Sequence, residues 1–422
     1  MSPVRPAVRV VGRRLEPEHH RLRDFLTRVA QPHQWLEADS PEAARLLGEL
    51  GLLGAALPIL VDGEQTYTGA TVEKIADAWG RLARTKRSHY DLVVIGAGPA
   101  GLAAAVYAAS DGLSTVVFER DAPGGQASHT SLIENFFGFP DGIGGAELSR
   151  LAGRQAEKFG AELMLLQGIR GSRVNGHDEK VELVLDDGSE VTGWAVLAAT
   201  GMDWRRLELD GVDELLDRGV YYGAGRSEAT QCSGQRVVVV GAGNSAGQAV
   251  LNFANAGARV TMLVRGDRLG KTMSAYLVER IQQHPMIDVR LEAQLSGLHA
   301  DGGRLGGVTV TDAGGNARTE PADAVFICIG GRPHTDWCPA ERVLTDAAGY
   351  ILTGQDLLTG ADRPDCWPLD RDPLPLETSR PGLFAAGDVR HGSTKRVAGA
   401  VGEGAMAAAL AFRRLAELGV TV

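Results

Sequence analysis

YDLVVIGAGPAGLAAAVYAAS, Tyr90 to Ser110, decides the fold. An apolar run, Leu92 to Ile95, enters Gly96-Ala-Gly98-Pro99-Ala100-Gly101, and a helix of small residues follows. The first glycine permits a sharp turn. The second leaves room for a pyrophosphate at the helix N-terminus, and the third lets helix and strand pack closely. The next predicted strand, STVVFER, ends at Glu119, 23 residues past Gly96, where a carboxylate accepts ribose hydroxyls. A glycine turn alone is weak evidence. Strand, turn, helix, strand and acid in that order are strong evidence for a dinucleotide-binding unit.

The plan recurs in RVVVVGAGNSAGQAVLNFANAGARVTMLVRG, from Arg236. Gly241, Gly243 and Ala246 take the three small-residue positions, with Asn244 and Ser245 between them. The place of the ribose-binding acid falls on Val264; Arg265 comes next and Arg268 follows. A carboxylate repels a 2'-phosphate and guanidinium groups attract one. The pattern predicts NADPH in preference to NADH, with Arg265 the stronger candidate; the plain alternative is two solvent-facing arginines. Two such units in one chain suggest electron transfer between a resident flavin and a transient nicotinamide.

The rest of the composition narrows the class. At 422 residues the chain exceeds one hydrophobic core, and 44% hydrophobic with 23% charged residues is ordinary for a globular protein. A net charge of -10 disfavours a broad nucleic-acid-binding surface. Cys232, Cys328, Cys338 and Cys366 form neither a CxxC nor a cluster with histidines, so no metal site is expected. Cys338 and Cys366 both flank tryptophan, and a disulfide between them is a minor alternative to four reduced thiols. No run approaches the roughly 18 apolar residues of a membrane helix, and no signal core opens the chain. A cytoplasmic protein is expected, without membrane or nucleic-acid partners.

From Asp91 onward the chain resembles the low-molecular-weight thioredoxin reductase family. The carrying motifs are the Gly96–Gly101 turn, PGGQ at 123–126, IENFFGFPDGIGGAEL from Ile133, VLAATGMDWRRL from Val196, FICIGGRPHT from Phe326 and GLFAAGDVRHGSTKRVAGAVGEG from Gly382. The resemblance implies FAD at the first turn. Gly96, Gly98, Pro99, Ala100, Gly101, Glu119, Arg120, Gly125, Gln126, Asn135, Thr200 and Gly201 are candidate FAD residues. So are Gly387, Asp388, Lys395, Arg396 and Val397. Asp388 takes the place of the aspartate that bonds the ribityl chain. Lys395-Arg396 stands where the family usually has Arg-Gln, and a cation near the flavin N1–C2 edge would favour reduced flavin. The nicotinamide candidates are Gly241, Gly243, Asn244, Ser245, Ala246, Arg265, Arg268 and Gly330. The implied fold is α/β: two Rossmann-like three-layer nucleotide-binding domains, the FAD domain discontinuous (86–207 and 330–422) and the NAD(P) domain inserted at 208–329. The resemblance also implies a homodimer and a rotation between these domains.

The chain departs from the family at its redox centre. The family's Cys-Ala-Thr-Cys, aligned on Gly219-Val220, falls on Gly223 and Arg226. Neither forms a disulfide, and Cys232 stands alone, so ordinary dithiol exchange is in doubt. Tyr221, Tyr222, Gly223 and Arg226 are the candidate flavin-facing residues, with a glycine that leaves room for an external acceptor; the plain alternative is that they fill a domain interface.

Residues 1–85 read β-α-β-α-β-β-α, resembling a thioredoxin or glutaredoxin fold, with Leu57-Pro58 at its cis-proline position and no CxxC. Ser40 is a candidate helix cap. Such a module can dock a protein partner, cap the reductase or hold a dimer. The long segment GQDLLTGADRPDCWPLDRDPLPLE, from Gly354, reads as a surface loop. The expected function is FAD-dependent NAD(P)H oxidation, with electrons passing directly to an unidentified acceptor: a quinone, a second flavin, oxygen or an external disulfide. The alternative is a low-turnover flavin- and NADP-binding sensor or interaction protein.

Overall fold

The strand His89–Ile95 is apolar on both faces because it lies inside a mostly parallel sheet, flanked by Thr115–Glu119 and Glu190–Ala198. The computed structural model describes residues 7–82, 85–173, 180–223, 229, 231–271, 273–338, 343–360 and 362–421. Its contacts divide the chain into two units. One comprises Ala76–Ser128, Leu132–Asp203 and Arg332–Val422; the other comprises Met1–Ile75, His129–Ser131 and Trp204–Gly331.

In the unit that holds the first glycine turn, the sheet order is Glu162–Leu165, Thr115–Glu119, His89–Ile95, Glu190–Ala198, Val181–Leu185, Ile169–Arg173. The first four strands are parallel. Val181–Leu185 and Glu190–Ala198 pair antiparallel across the Asp187-Gly188 turn. The long strand Glu190–Ala198 does two jobs. Its first half holds this hairpin, and its second half takes Leu383–Ala385 as a parallel neighbour, which returns the C-terminal part of the chain to the sheet. The helix Val397–Glu417 then packs on the helix Pro99–Ser110. The approach is backbone to backbone: a Cβ on Gly404 would stand 2.0 Å from the carbonyl oxygen of Ala100.

The other unit has a five-stranded parallel sheet in the order Val220–Tyr222, Ala324–Ile327, Arg236–Val240, Arg259–Val264, Ile287–Leu291. A three-stranded antiparallel sheet, Gln294–Asp301, Arg304–Thr311 and Ala317–Pro321, accompanies it. A third sheet, ordered His33–Glu37, Val8–Gly12, Ile59–Asp62, Gln65–Tyr67, forms near the N-terminus, with helices Pro17–Arg28 and Pro41–Glu49. Ser40 caps the second helix by accepting from the N–H of Ala43 at 3.1 Å. The Leu57–Pro58 bond is cis.

Among the points where the chain passes between the units are one near Trp204 and one near Gly331. On one side of the passage, Arg205 donates its N–H to Gly330 at 3.0 Å. On the other, His334 donates its N–H to Gly201 and accepts from the Thr200 hydroxyl at 2.7 Å.

One expectation is refined. The segment from Gly354 lies at the surface over much of its length, with Arg363, Asp365, Cys366 and Asp370 exposed, but it is pinned at intervals rather than free along its whole length. Trp367, Leu374 and Leu376 are buried, and so is Glu377, which binds Arg371 through both oxygens. Apolar anchors at intervals hold an irregular chain that the Pro and Gly content kept out of regular structure. Among the described residues no helix is long and apolar enough to cross a membrane.

Candidate functional site

Around the first turn, each glycine is required for a different reason. Gly96 has φ +101°, and a Cβ there would meet Ala199 O at 2.5 Å. On Gly101 a Cβ would lie 1.9 Å from Gly96 O. Gly98 is the opposite case: it is the N-cap of Pro99–Ser110, and a Cβ would meet nothing within 4 Å. That open ground faces the unpaired N–H groups of a helix N-terminus, which is where a pyrophosphate fits. Gly125 closes the far side, its Cβ position 3.5 Å from Gly98 Cα.

Glu119 ends its strand beside this turn and is buried. One oxygen accepts from the N–H of Ala97 at 2.8 Å, the other from Asp121 at 3.0 Å. A carboxylate has about four acceptor sites, the chemistry that recognition of ribose hydroxyls draws on. Arg120 instead pairs with Asp203 and reaches the His334 ring. Gln126 donates to Met202 O at 2.6 Å, fixing the PGGQ loop to the start of the passage. Asn135 is exposed, on a loop closed by the Ile133–Ile143 bridge.

The C-terminal signature builds a second wall. Gly387 has φ +75° and donates to Glu403 at 2.7 Å. The Asp388 carboxyl is pushed above its ordinary range by burial, against the pull of the Lys395 ammonium. Lys395 is pulled below its ordinary range by burial, and its ammonium donates to Asp388 O at 2.5 Å while lying 4.1 Å from the Tyr350 ring centroid. Arg396 caps the helix Val397–Glu417 and is exposed. Sequence reasoning missed Glu403 and Tyr350. The acid in VGEG, two turns into a small-residue helix, was a usable signal; Tyr350 had none.

The second turn repeats the first. Gly243 caps Asn244–Asn255, and a Cβ on it would meet nothing within 4 Å. On Gly241 a Cβ would lie 2.2 Å from Cys328 O. Ala246 is buried, Ser245 exposed, and the Asn244 side chain accepts from the N–H of Ser274 at 2.7 Å. Arg265 and Arg268 are both exposed, just past the end of Arg259–Val264. Gly330 has φ +88° at the passage.

The place of the first missing cysteine, Gly223, is less open than the glycine suggests. Tyr221 is buried, stacked on Phe326 with centroids 5.0 Å apart, and the His20 ring lies 5.2 Å away. Tyr222 accepts from the N–H of Leu207 at 2.8 Å. Gly223 has φ +73°, and a Cβ on it would stand 2.7 Å from the Trp204 indole. The room beside this glycine is therefore already taken by Trp204. Arg226 lies outside the described residues. Gly223→Cys would combine a left-handed backbone with this clash, and we expect it to cost about 1–3 kcal/mol; chemical denaturation of the variant checks this.

No disulfide joins Cys338 and Cys366: all four cysteines are free thiols. Burial pushes the Cys328 and Cys338 thiols up to about 12, and Cys232 is buried. Cys366 alone is exposed. Titration with a chromogenic disulfide at about pH 8 is expected to find a single fast thiol in the native chain and the full four on denaturation, with no change after prior reduction. Among the described residues no group of side chains could hold a metal.

Residues 90–404 match the family model described as pyridine nucleotide-disulphide oxidoreductase. The chain belongs to that family. Within it, the thioredoxin reductase of Bacillus subtilis is 34% identical over 335 residues, covering 79% of this chain and 97% of the relative. The thioredoxin reductase of Treponema pallidum is 32% identical over 326 residues, covering 76% of this chain and 95% of its own. The crystal structure of the Lactococcus lactis thioredoxin reductase superposes with a TM-score of 0.68 at 29% identity, covering 78% of this chain and 99% of its own. The chain is thus an oxidoreductase of the thioredoxin reductase type, and family membership implies FAD and NAD(P)H. The family's disulfide-forming CxxC is absent from it.

Proposed function

We propose that the chain oxidises NADPH by way of bound FAD and passes the electrons directly to an external acceptor, without an internal dithiol. The observation that carries this is the contrast between intact nucleotide cradles and a redox position that has lost both family cysteines. Gly98 and Gly243 each cap a helix with open ground above them, while the position of the first family cysteine is a glycine under Trp204. When bound, FAD supplies the two-electron centre. The chain's own residues bind and orient it: Gly98 and the following helix hold the pyrophosphate, Glu119 the ribose, and Asp388 the ribityl chain. Lys395, steadied by Asp388 O and Tyr350, keeps a positive charge at this wall. The remaining candidate residues, from Arg120, Gln126 and Asn135 to Thr200, Gly201 and Gly330, belong to the same proposal.

NADPH is preferred because Arg265 follows Val264 where an acid would stand. Arg265→Ala is expected to lower kcat/KM for NADPH about tenfold and leave NADH nearly unchanged, as the loss of one charge-assisted phosphate contact requires. Steady-state kinetics with both nucleotides checks it. We also propose the boundaries 1–85, 86–207, 208–329 and 330–422, a homodimer, and a thioredoxin-like N-terminal module that has lost its dithiol. The strand order of the N-terminal sheet and the absence of cysteine from residues 1–85 support that last reading.

Anaerobic stopped-flow absorbance of the holoprotein mixed with NADPH or NADH tests the whole. Fast bleaching of oxidised flavin, then reoxidation by one class of acceptor, is the expected result. A folded, FAD-loaded protein that neither nucleotide reduces would favour the sensor reading instead.

A further inference from the structure

A cleft of about 1110 Å³ lies along the seam between the N-terminal sheet and the inserted nucleotide module, both within one unit. It is not the nicotinamide site. Arg236 and Asp323, in its lining, stand at the N-terminal ends of the strands Arg236–Val240 and Ala324–Ile327, whereas the glycine turn follows the C-terminal end. On the N-terminal side, Arg13, Arg14 and Glu37 to Asp39 line it, at the C-terminal ends of the parallel strands Val8–Gly12 and His33–Glu37. That edge of a parallel sheet is where α/β proteins build ligand sites.

The two walls differ in chemistry. One is apolar, from Leu15, Leu47, Leu53 and Leu57. The other is ionic, and much of it is already satisfied. Arg236 grips Asp323 through two hydrogen bonds at 2.9 and 3.0 Å, which hold the Asp323 carboxyl below its usual range. Glu37 accepts from the Trp35 indole and from the N–H of Arg14, whose guanidinium donates to Gln235 at 2.9 Å. The guanidinium groups of Arg13, Arg218 and Arg304 make no ion pair among the described residues. Asp39 and Asp301 also line the cleft, so the unpaired charge favours positive by one group.

We propose that this cleft binds a small amphipathic monoanion, an apolar body carrying one carboxylate, sulfonate or phosphodiester. The body covers the leucine wall and the anion meets Arg218 and Arg304. Because the ligand touches both modules, its binding strengthens their docking.

The probe is 8-anilinonaphthalene-1-sulfonate, titrated by fluorescence into the FAD-loaded protein saturated with NADP⁺, so that both nucleotide sites are filled. The expected result is one saturable site per chain, weakened at least about tenfold in Arg218→Gln/Arg304→Gln, as loss of two charge-assisted contacts requires. In the native protein, about 0.5 M salt weakens binding, and the uncharged N-phenyl-1-naphthylamine binds more weakly than the sulfonate. The native-protein arms stand even if the double variant misfolds, which its rate of flavin reduction by NADPH reports. Equal binding by the folded variant, insensitivity to salt, equal binding of the neutral probe, or no saturable site would each overturn the proposal.

Discussion

Gly98→Val is expected to yield a folded, colourless protein. Nothing lies within 4 Å of a Cβ at this position, and its φ of -71° with ψ near 180° is ground that valine adopts without strain. The substitution therefore leaves the strand, the helix and their packing intact. It fills the ground above the helix N-terminus, displaces the pyrophosphate and covers N–H groups that have no other partner. We expect FAD affinity to fall by more than about a hundredfold, the loss of several charge-assisted hydrogen bonds at about 1.5–3 kcal/mol each. The ratio of flavin to protein absorbance after purification, with circular dichroism beside it, checks both halves. A variant that keeps stoichiometric FAD would place the cofactor elsewhere. Gly101 gives the contrast: a Cβ there lies 1.9 Å from Gly96 O, so substitution is expected to damage folding rather than binding alone.

The second large effect is on stability. Glu377 is fully buried and carries four hydrogen bonds: two from Arg371, one from the N–H of Leu374 at 2.8 Å and one from Gly382 at 3.0 Å. Removing one partner of such a pair leaves two buried N–H groups and a guanidinium short of acceptors. Arg371 keeps Glu417, which limits the damage. Glu377→Ala is expected to destabilise by about 3–5 kcal/mol, and Glu377→Gln by less because one acceptor oxygen survives. Urea unfolding at fixed FAD concentration measures both, and a loss below about 1 kcal/mol for the alanine variant would show that the network is not a structural anchor.

These two sites were unequally legible in the sequence. Gly98 announces itself because a turn, a close approach and a helix start leave a fixed spacing of small residues. The sheets were readable for a similar reason: VELVLDDGSEVTGW and RVVVVGAG carry their period and their turns locally. Glu377 was hidden, since a buried acid in a Pro-rich segment is indistinguishable in sequence from a solvated one. Its partners, Arg371 and the N–H of Gly382, lie only six and five residues away, but no turn motif in the segment announces that they fold back onto it. Gly223 misled in the other direction. A glycine where the family has cysteine suggests vacant space, but Trp204, 19 positions earlier, occupies it. Tyr221 likewise read as a flavin-stacking candidate and packs on Phe326, a partner from a strand that pairs with its own. Local chemistry was visible; long-range filling was not.

The paired bonds at the passages near Trp204 and Gly331 bear on how such a protein can be taken apart. Arg205 is tied to Gly330, and Thr200 and Gly201 are tied to His334, so the inserted module leaves and re-enters its host at one doorway. Every strand of the seven-stranded sheet finds its neighbours among residues outside that insert. In the domain plan proposed above, a short splice across the doorway leaves the host's hydrogen-bond ladder intact, and what it takes away is the surface on which the N-terminal sheet rests through Arg14 and Gln235.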